Sequence, residues 1–284
     1  MFSLGRPEPA DCVIKLRTVS ATGFVDVEGS RLYYEVAGSG PPVVLLHGGW
    51  LDLRQWDDQV SALSSDYRVI RYDARGYGRS PLGTTPYSHH TDLAAMLRAL
   101  DVERPHLVAL SNGASIAVDF AIWSPDSVRS LAIGCAPMRG RDLGPEFMEG
   151  MRAVILAGVA GHKDECRAAV WRFAPLQVAA TIPAARERLD RMMVEDHEFA
   201  YARPDAPKRA FIEPPTSTRF AEITAPTLVI VGDGEMPTLA QQGELMAGSI
   251  PGARLRVIKG AGHIVNIEQP EAYIQVVLEW LRTH

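Results

Sequence analysis

The segment that most constrains this chain is residues 107–115, where an apolar run ends at Ser111 and a helical pattern begins. The first residues have the character of a buried strand, and apolar residues then recur at helical spacing over 116–121. A sharp turn from strand into helix would hold the Ser111 hydroxyl clear of the sheet, and it needs small residues on both sides. Ala109 and Gly113 meet this need. The segment therefore predicts a serine nucleophile on a strained turn, although an ordinary strand-to-helix connection shows the same pattern.

Short apolar runs alternate with helical patterns along most of the chain. A hairpin is predicted over 23–36, and strands over 43–46, 68–72, 107–110, 130–135, 227–231 and 254–258. Helices are predicted over 52–64, 92–100, 238–249 and 270–281. Strands separated by helices favour a parallel sheet with right-handed crossovers. The expected fold class is therefore α/β, with a mostly parallel central sheet and an N-terminal hairpin.

The alternation of strands and helices stops after Pro137. The next 80 or so residues contain no convincing strand pattern. Their helical patterns cover 147–159, 165–173 and 184–194. We interpret this region as a helical cap inserted into the sheet domain. The predicted division is an N-terminal extension at 1–22, a core at 23–137 and 218–284, and the cap at 138–217.

The composition limits the classes of function. A net charge of −5 over 284 residues argues against a nucleic-acid partner, and no apolar run approaches the ~20 residues of a membrane span. Cys12, Cys135 and Cys166 are widely spaced and indicate free thiols in a reducing compartment, and no secretion signal is evident, so we expect a cytoplasmic protein. No metal-ligand spacing or nucleotide-binding glycine pattern occurs, so we expect no metal and no cofactor. The His89–His90 pair is expected in a solvated loop.

A glycine-rich turn follows the predicted strand at 43–46, with the sequence His47-Gly48-Gly49-Trp50. Acyl transfer builds an oxyanion, which two preorganised backbone N–H groups can stabilise. One donor would be the N–H of Asn112, directly after the serine at a helix N-terminus. The other would come from Gly49 or Trp50. Without the serine turn, a simple structural turn would be the preferred interpretation.

Two further strand ends carry polar residues in glycine-rich loops. Residues 260–263 end in His263, whose ordinary pKa near neutrality suits a general base that takes the serine proton. Residues 232–235 offer two acids, Asp233 and Glu235, either of which could orient the histidine. Serine, acid and histidine in this chain order, each just past a strand, rarely occur together by accident.

Together these motifs resemble the α/β-hydrolase family, in its capped subgroup of esterases, lactonases, carbon–carbon bond hydrolases and haloperoxidase-like enzymes. The resemblance covers roughly 23–284 apart from most of the cap. It is carried by 47–49, by Asp73-x-Arg75-Gly76-x-Gly78-x-Ser80, by 109–113, by 232–235, and by Gly260-x-Gly262-His263 followed by Glu268-x-Pro270-Glu271. The 73–80 segment is the most specific of these, and it resembles a structural turn of the family rather than a catalytic element.

The resemblance implies that Ser111 is the nucleophile and His263 the base. It places the acid at Glu235, where the family usually has aspartate, so this chain carries one methylene more at that position. Asp233 is the alternative acid. A serine at the turn argues against the dehalogenase and epoxide-hydrolase members, which use aspartate there.

The cap is expected to shape the substrate pocket. Candidate substrate-binding residues are Trp50, Met148 and Trp171. Other large apolar residues of the cap that could line the pocket are Met151, Ile155, Leu156, Phe173, Met192 and Met193. Most of these residues could equally pack the cap's own core. No arginine of the cap stands out as a partner for a substrate carboxylate.

The predicted function is a serine hydrolase that cleaves a small-molecule carboxylic ester or lactone through an acyl-enzyme. Hydrolysis of a carbon–carbon bond beside a ketone on the same residues is the nearest alternative. A ligand-binding receptor on a hydrolase scaffold is the alternative from another class. The sequence does not indicate an oligomeric state.

Overall fold

The computed structural model describes residues 19–134 and 136–284. The predicted extension at 1–22 therefore lies almost wholly outside the described residues, as do Cys12 and Cys135. Cys166 is buried and free, and burial raises the pKa of its thiol. The cytoplasmic location inferred from the cysteines stays a prediction.

A central sheet organises the fold, with strand order β1-β2-β4-β3-β5-β6-β7-β8. The strands are β1 (Ala21–Val27), β2 (Ser30–Ala37), β3 (Pro42–Leu46), β4 (Arg68–Tyr72), β5 (His106–Leu110), β6 (Ser130–Gly134), β7 (Thr227–Gly232) and β8 (Arg254–Ile258). The hairpin β1–β2 is antiparallel and β2 pairs antiparallel with β4, whereas every later pair is parallel. This confirms the predicted mostly parallel sheet with an N-terminal hairpin.

Helices connect and cover the strands. The α-helices are α1 (Asp57–Leu63), α2 (His89–Ala99), α3 (Asn112–Trp123), α4 (Gly144–Val159), α5 (Lys163–Val170), α6 (Gln177–Ala180), α7 (Pro183–Asp190), α8 (Pro237–Ser249), α9 (Val265–Glu268) and α10 (Pro270–Thr283). A π-helical turn follows α7 at Arg191–Glu195. Residues 136–226, all of which the structure describes, contain α4–α7 and no strand. The exact division into core and cap stays a prediction.

Several helix boundaries differ from the sequence prediction by a few residues, and the differences near residues 52 and 89 change an interpretation. The predicted helix at 52–64 divides into a 3-10 turn at Leu53–Trp56 and α1, because Asp52 caps the turn by accepting a hydrogen bond from Arg54 N at 2.9 Å. The prediction that His89 and His90 lie in a solvated loop is wrong. Both are buried in the first turn of α2, where His89 packs on Tyr87 and burial lowers the pKa of each imidazole.

The sheet separates two hydrophobic layers. Along β3, Val43 and Leu45 pack into one layer, and Val44 and Leu46 pack into the other. Successive side chains of a strand point to opposite faces, so a fully apolar strand fits only where both faces are covered. The apolar run at 43–46 therefore determined a central position for β3, with its C-terminal end beside that of β5.

The turn at 73–80 connects the end of β4 to neighbouring parts of the fold. Asp73 accepts hydrogen bonds from the backbone N–H groups of Leu53 and Arg79, each at 2.8 Å. Ser80 donates to the carbonyl of Asp73 at 2.6 Å and accepts from Tyr33 N at 2.8 Å. Burial raises the pKa of Asp73 to about 7. These contacts join β4 to β2 and to the turn after β3, which fits a structural role.

The elbow between β5 and α3 gives a test of stability. Gly113→Ala should lower the free energy of unfolding by about 1–3 kcal/mol, because its Cβ would lie less than 3.0 Å from the carbonyl oxygens of Leu46 and His47. Gly248→Ala in α8 is the matched control, since no atom outside its chain neighbours and its own helix backbone lies within 4 Å of the added Cβ. It should be neutral or gain up to about 1 kcal/mol. Urea unfolding of both variants measures the difference, and equal stabilities would contradict the packing argument.

Candidate active site

Ser111 occupies a strained corner between β5 and α3. Its backbone has φ 55° and ψ −120°, a conformation that side-chain-bearing residues rarely adopt. Ser111 N donates to Gly134 O at 2.8 Å, and Gly113 allows α3 to pass close to the end of β3. The corner therefore holds the serine hydroxyl at the carboxyl edge of the sheet, as expected for a nucleophile elbow.

His263 connects Ser111 to Glu235 through its two ring nitrogens. Its Nε2 lies 2.9 Å from Ser111 Oγ, and its Nδ1 lies 2.8 Å from Glu235 Oε2. A carboxylate accepts only, so Nδ1 carries the proton and Nε2 is free to accept from the serine. The other oxygen of Glu235 accepts from Met236 N at 2.7 Å, which fixes the carboxylate plane.

Asp233, the alternative acid, has a different contact. It is exposed and accepts a hydrogen bond from Gly260 N at 2.7 Å, so it joins the loop after β7 to the loop after β8. The structure thus places Glu235, and not Asp233, in contact with the imidazole of His263.

Burial and charge oppose each other at His263. Burial favours the neutral ring, but the nearby charge of Glu235, its hydrogen bond and the charge of Glu268 outweigh burial and raise the pKa of His263. The side chain of Glu235 is fully buried, and the imidazole is its ion-pair partner. Glu268 accepts from Gly262 N and so holds the histidine loop, and burial raises its pKa to about 7.

The turn after β3 lies directly against the elbow. A Cβ on Gly48 would be 3.4 Å from Ser111 Cβ, and a Cβ on Gly49 would be 3.8 Å from Asn112 Cβ. Gly48 N donates to the buried Gln55 Oε1 at 2.7 Å, which leaves Gly49 and Trp50 as the next backbone donors. The structure therefore brings together the residues predicted to supply an oxyanion hole.

His47 supports that turn without being positioned for proton transfer. Its Nε2 accepts from Ala74 N at 2.9 Å, so its Nδ1 donates to Gly48 O at 2.7 Å. Burial lowers the pKa of His47, which keeps the ring neutral and both bonds intact.

A cavity of about 230 Å³ opens above Ser111. Its lining is mainly apolar and comprises Gly48, Gly49, Trp50, Leu51, Tyr77, Ser111, Asn112, Pro137, Leu143, Phe147, Met151, Ile155, Phe173, Leu176, Met193, Tyr201, His263 and Ile264. No Lys, Arg, Asp or Glu is among these lining residues. The cavity thus presents mainly apolar surface to a molecule bound beside Ser111.

The lining only partly matches the predicted pocket residues. Trp50 contributes as predicted, whereas Met148 and Trp171 do not line the cavity. Met148 is 48% exposed on α4, and Trp171 donates through Nε1 to Asp190 Oδ1 at 3.1 Å. Of the other predicted cap residues, the lining includes Met151, Ile155, Phe173 and Met193 but neither Leu156 nor Met192.

Sequence reasoning missed two tyrosines of the lining. Tyr77 and Tyr201 stack with ring centroids 5.2 Å apart. Tyr77 belongs to the turn after β4 and Tyr201 to the chain after the cap helices, so no spacing in the sequence connects them.

Across the described residues, no group of three or more His, Cys, Asp or Glu side chains is arranged to hold a metal ion. In the same ranges, none of the helices is both long enough and apolar enough to span a bilayer.

Comparisons with known proteins identify the family of this chain. The model of the alpha/beta hydrolase family matches residues 43–276. The chain is 28% identical to the 3-oxoadipate enol-lactonase 1 of Acinetobacter baylyi, over 88% of this chain and 92% of that protein. It is 24% identical to the 2-hydroxy-6-oxo-6-phenylhexa-2,4-dienoate hydrolase of Comamonas testosteroni, over 90% of this chain and 93% of that protein. A thermophilic esterase from Thermogutta terrifontis superposes with a TM-score of 0.72 at 27% identity, covering 93% of this chain and 99% of that one.

The opposing effects on His263 give a test by NMR titration. In Glu235→Gln the pKa of His263 should fall, because the neutral amide removes the negative charge that raises it while burial still lowers it. In Asp233→Asn the pKa of His263 should be unchanged, because Asp233 contacts Gly260 and not the imidazole. A larger fall in Asp233→Asn would contradict the ion pair between Glu235 and His263.

Proposed function

This chain belongs to the α/β-hydrolase family, and we propose that it is a serine hydrolase of neutral carboxylic esters or lactones with short acyl groups. The observation that carries the proposal is the hydrogen-bonded chain from Glu235 through His263 to Ser111, which ends at an apolar cavity. Serine, imidazole and buried carboxylate in this order are the parts that acyl transfer needs.

The first step forms an acyl-enzyme. His263 Nε2 takes the proton of Ser111 as Oγ attacks the substrate carbonyl, and Glu235 stabilises the imidazolium. The carbonyl oxygen becomes an oxyanion, for which the N–H groups of Gly49 and Asn112 are the proposed donors. His263 then returns the proton to the leaving alkoxide, the carbon–oxygen bond breaks, and the alcohol departs.

The second step reverses these roles with water. His263 takes a proton from a water molecule that attacks the acyl-enzyme, a second oxyanion forms, and its collapse expels Ser111 Oγ, which regains the proton. The products are a carboxylic acid and regenerated enzyme. A lactone gives the same sequence with the alcohol retained on the acyl chain.

The lining of the cavity supports a neutral substrate. The names of the enol-lactonase and dienoate hydrolase relatives denote substrates with carboxylate groups. A carboxylate inside the cavity would need a direct contact with a cation or with several N–H or O–H donors. No lysine or arginine lines the cavity here, and moving a carboxylate into apolar surroundings without a partner is costly. The cavity therefore favours uncharged esters and lactones over hydrolysis of a dienoate carbon–carbon bond.

Labelling with a fluorophosphonate tests the nucleophile and separates catalysis from a receptor function. Wild-type protein should be labelled at Ser111, and Ser111→Ala should lose labelling and about 10⁶ in kcat. Ser115→Ala in α3 is the control, because its hydroxyl donates to Pro137 O at 3.0 Å and does not contact His263. A folded Ser111→Ala variant that kept a tenth of wild-type activity would exclude Ser111 as the nucleophile.

A matched pair of substrates tests the substrate class. The kcat/KM of p-nitrophenyl butyrate should exceed that of p-nitrophenyl hemisuccinate at least about tenfold, because only the second brings a carboxylate into the cavity. Activity should also fall from butyrate to dodecanoate, since about 230 Å³ is small for a ligand pocket. Equal turnover of the charged and neutral esters would contradict this proposal.

A further inference from the structure

Arg209 lies immediately behind the elbow on a fixed backbone. Its segment pairs with the chain before α2 through an isolated parallel bridge between Tyr87 and Arg209. Tyr87 N donates to Lys208 O at 3.2 Å, and Ala210 N donates to Tyr87 O at 2.7 Å. The arginine is therefore held in place by the core even though it follows the cap helices in sequence.

The side chain of Arg209 reaches the residue after the nucleophile. Its Nη1 donates to Asn112 Oδ1 at 3.0 Å. A guanidinium can only donate, so this contact determines which way the Asn112 amide is turned. Asn112 is the first residue of α3 and the one whose backbone N–H is a proposed oxyanion donor. Arg209 thus fixes the side chain of the residue that carries this donor.

The positive charge of Arg209 has little compensation. None of the ion pairs among the described residues includes it, and its Nε is buried without a partner in the same ranges. Asp119 acts on it electrostatically, but the Asp119 carboxylate accepts from Thr216 Oγ1 at 3.0 Å instead. The guanidinium carbon lies over the ring of Phe211, 4.6 Å from its centroid. Arginine remains protonated under these conditions.

Positive electrostatic potential is therefore concentrated at the N-terminus of α3. The N-terminus of α3 carries a partial positive charge of its own, and Arg209 adds a full charge behind it. A partly buried cation without an ion-pair partner is unfavourable in the resting protein. The partial charge of the α3 N-terminus and the charge of Arg209 both become favourable when negative charge develops beside Asn112. Acyl transfer develops such a charge on the carbonyl oxygen of the substrate.

We propose that Arg209 is a positioning residue of the oxyanion site, which orients Asn112 and supplies positive charge that stabilises the transition state more than the bound substrate. This inference rests on the proposed hydrolase function and deepens it. Arg209 does not line the cavity, so it acts through Asn112 and through its charge, not by contact with the substrate.

Steady-state kinetics on p-nitrophenyl butyrate test the proposal. In Arg209→Met, kcat should fall about tenfold with KM nearly unchanged, a smaller loss than that of a direct oxyanion donor. Arg139→Met is the matched control. Arg139 lies over the same Phe211 ring, at 5.0 Å, but donates to Glu213 and to Ile212 O rather than to Asn112. Its kcat should equal that of the wild type.

A transition-state analogue supplies the second readout. A trifluoromethyl ketone adds to Ser111 as an anionic tetrahedral adduct, so its Ki should rise in Arg209→Met by the same factor as kcat falls. Arg209→Lys keeps the charge and should retain most of kcat. Arg209→Gln keeps a donor without the charge, and its kcat should fall about as far as that of Arg209→Met. Circular dichroism and the Tm of each variant establish that it is folded.

Failure of this inference can be distinguished from failure of the proposed hydrolase function. An unchanged kcat in folded Arg209→Met, a parallel rise of KM and Ki, or full activity in Arg209→Gln would each overturn the proposal. Failure of the Met, Gln and Lys variants to fold would show that Arg209 serves stability alone, which also overturns it. If wild-type protein neither turns over esters nor reacts with fluorophosphonate, the proposed function itself fails and this inference falls with it.

Discussion

The close approach of two backbones, at the end of β3 and at the start of α3, is the constraint on which the rest of the site depends. Gly113 lies so near the carbonyls of Leu46 and His47 that a side chain has no room. That contact forces Ser111 into its strained conformation and sets the Gly48–Gly49 turn beside Asn112. Neighbouring carbonyls and N–H groups are thereby preorganised by the sheet itself, and little further ordering is needed when a substrate binds.

A second backbone contact explains how Glu235 reaches the imidazole of His263. A Cβ on Gly232 would lie less than 3.0 Å from the carbonyl of Ala261, so the loops after β7 and β8 are packed against each other. Asp233 and Glu268 add hydrogen bonds to the backbone of Gly260 and Gly262. The histidine loop is thus held from two sides, and Glu235 meets Nδ1 of the imidazole at an ordinary distance of 2.8 Å.

The helical segment above the sheet determines what can reach the serine. Phe173 packs on Trp50 with ring centroids 5.3 Å apart, and Arg188 is hydrogen-bonded to Asp58 at 2.6 Å. These contacts attach the segment to the core at two places. The result is a small, mainly apolar cavity above Ser111.

The family, the sheet and the order serine, acid, histidine were all determined by the sequence, because each rests on local patterns: apolar runs for central strands, small residues around Ser111, and glycines before His263. What lies between elements far apart in the chain was decided only by the tertiary structure. Met148 and Trp171 are large apolar residues of the helical region, like Met151, yet only packing could determine which of these side chains meet the cavity. The contact of Arg209 with Asn112 spans 97 residues and follows from no periodicity. Side-chain direction within a helix depends on what covers it, and that information exists only once the elements have assembled.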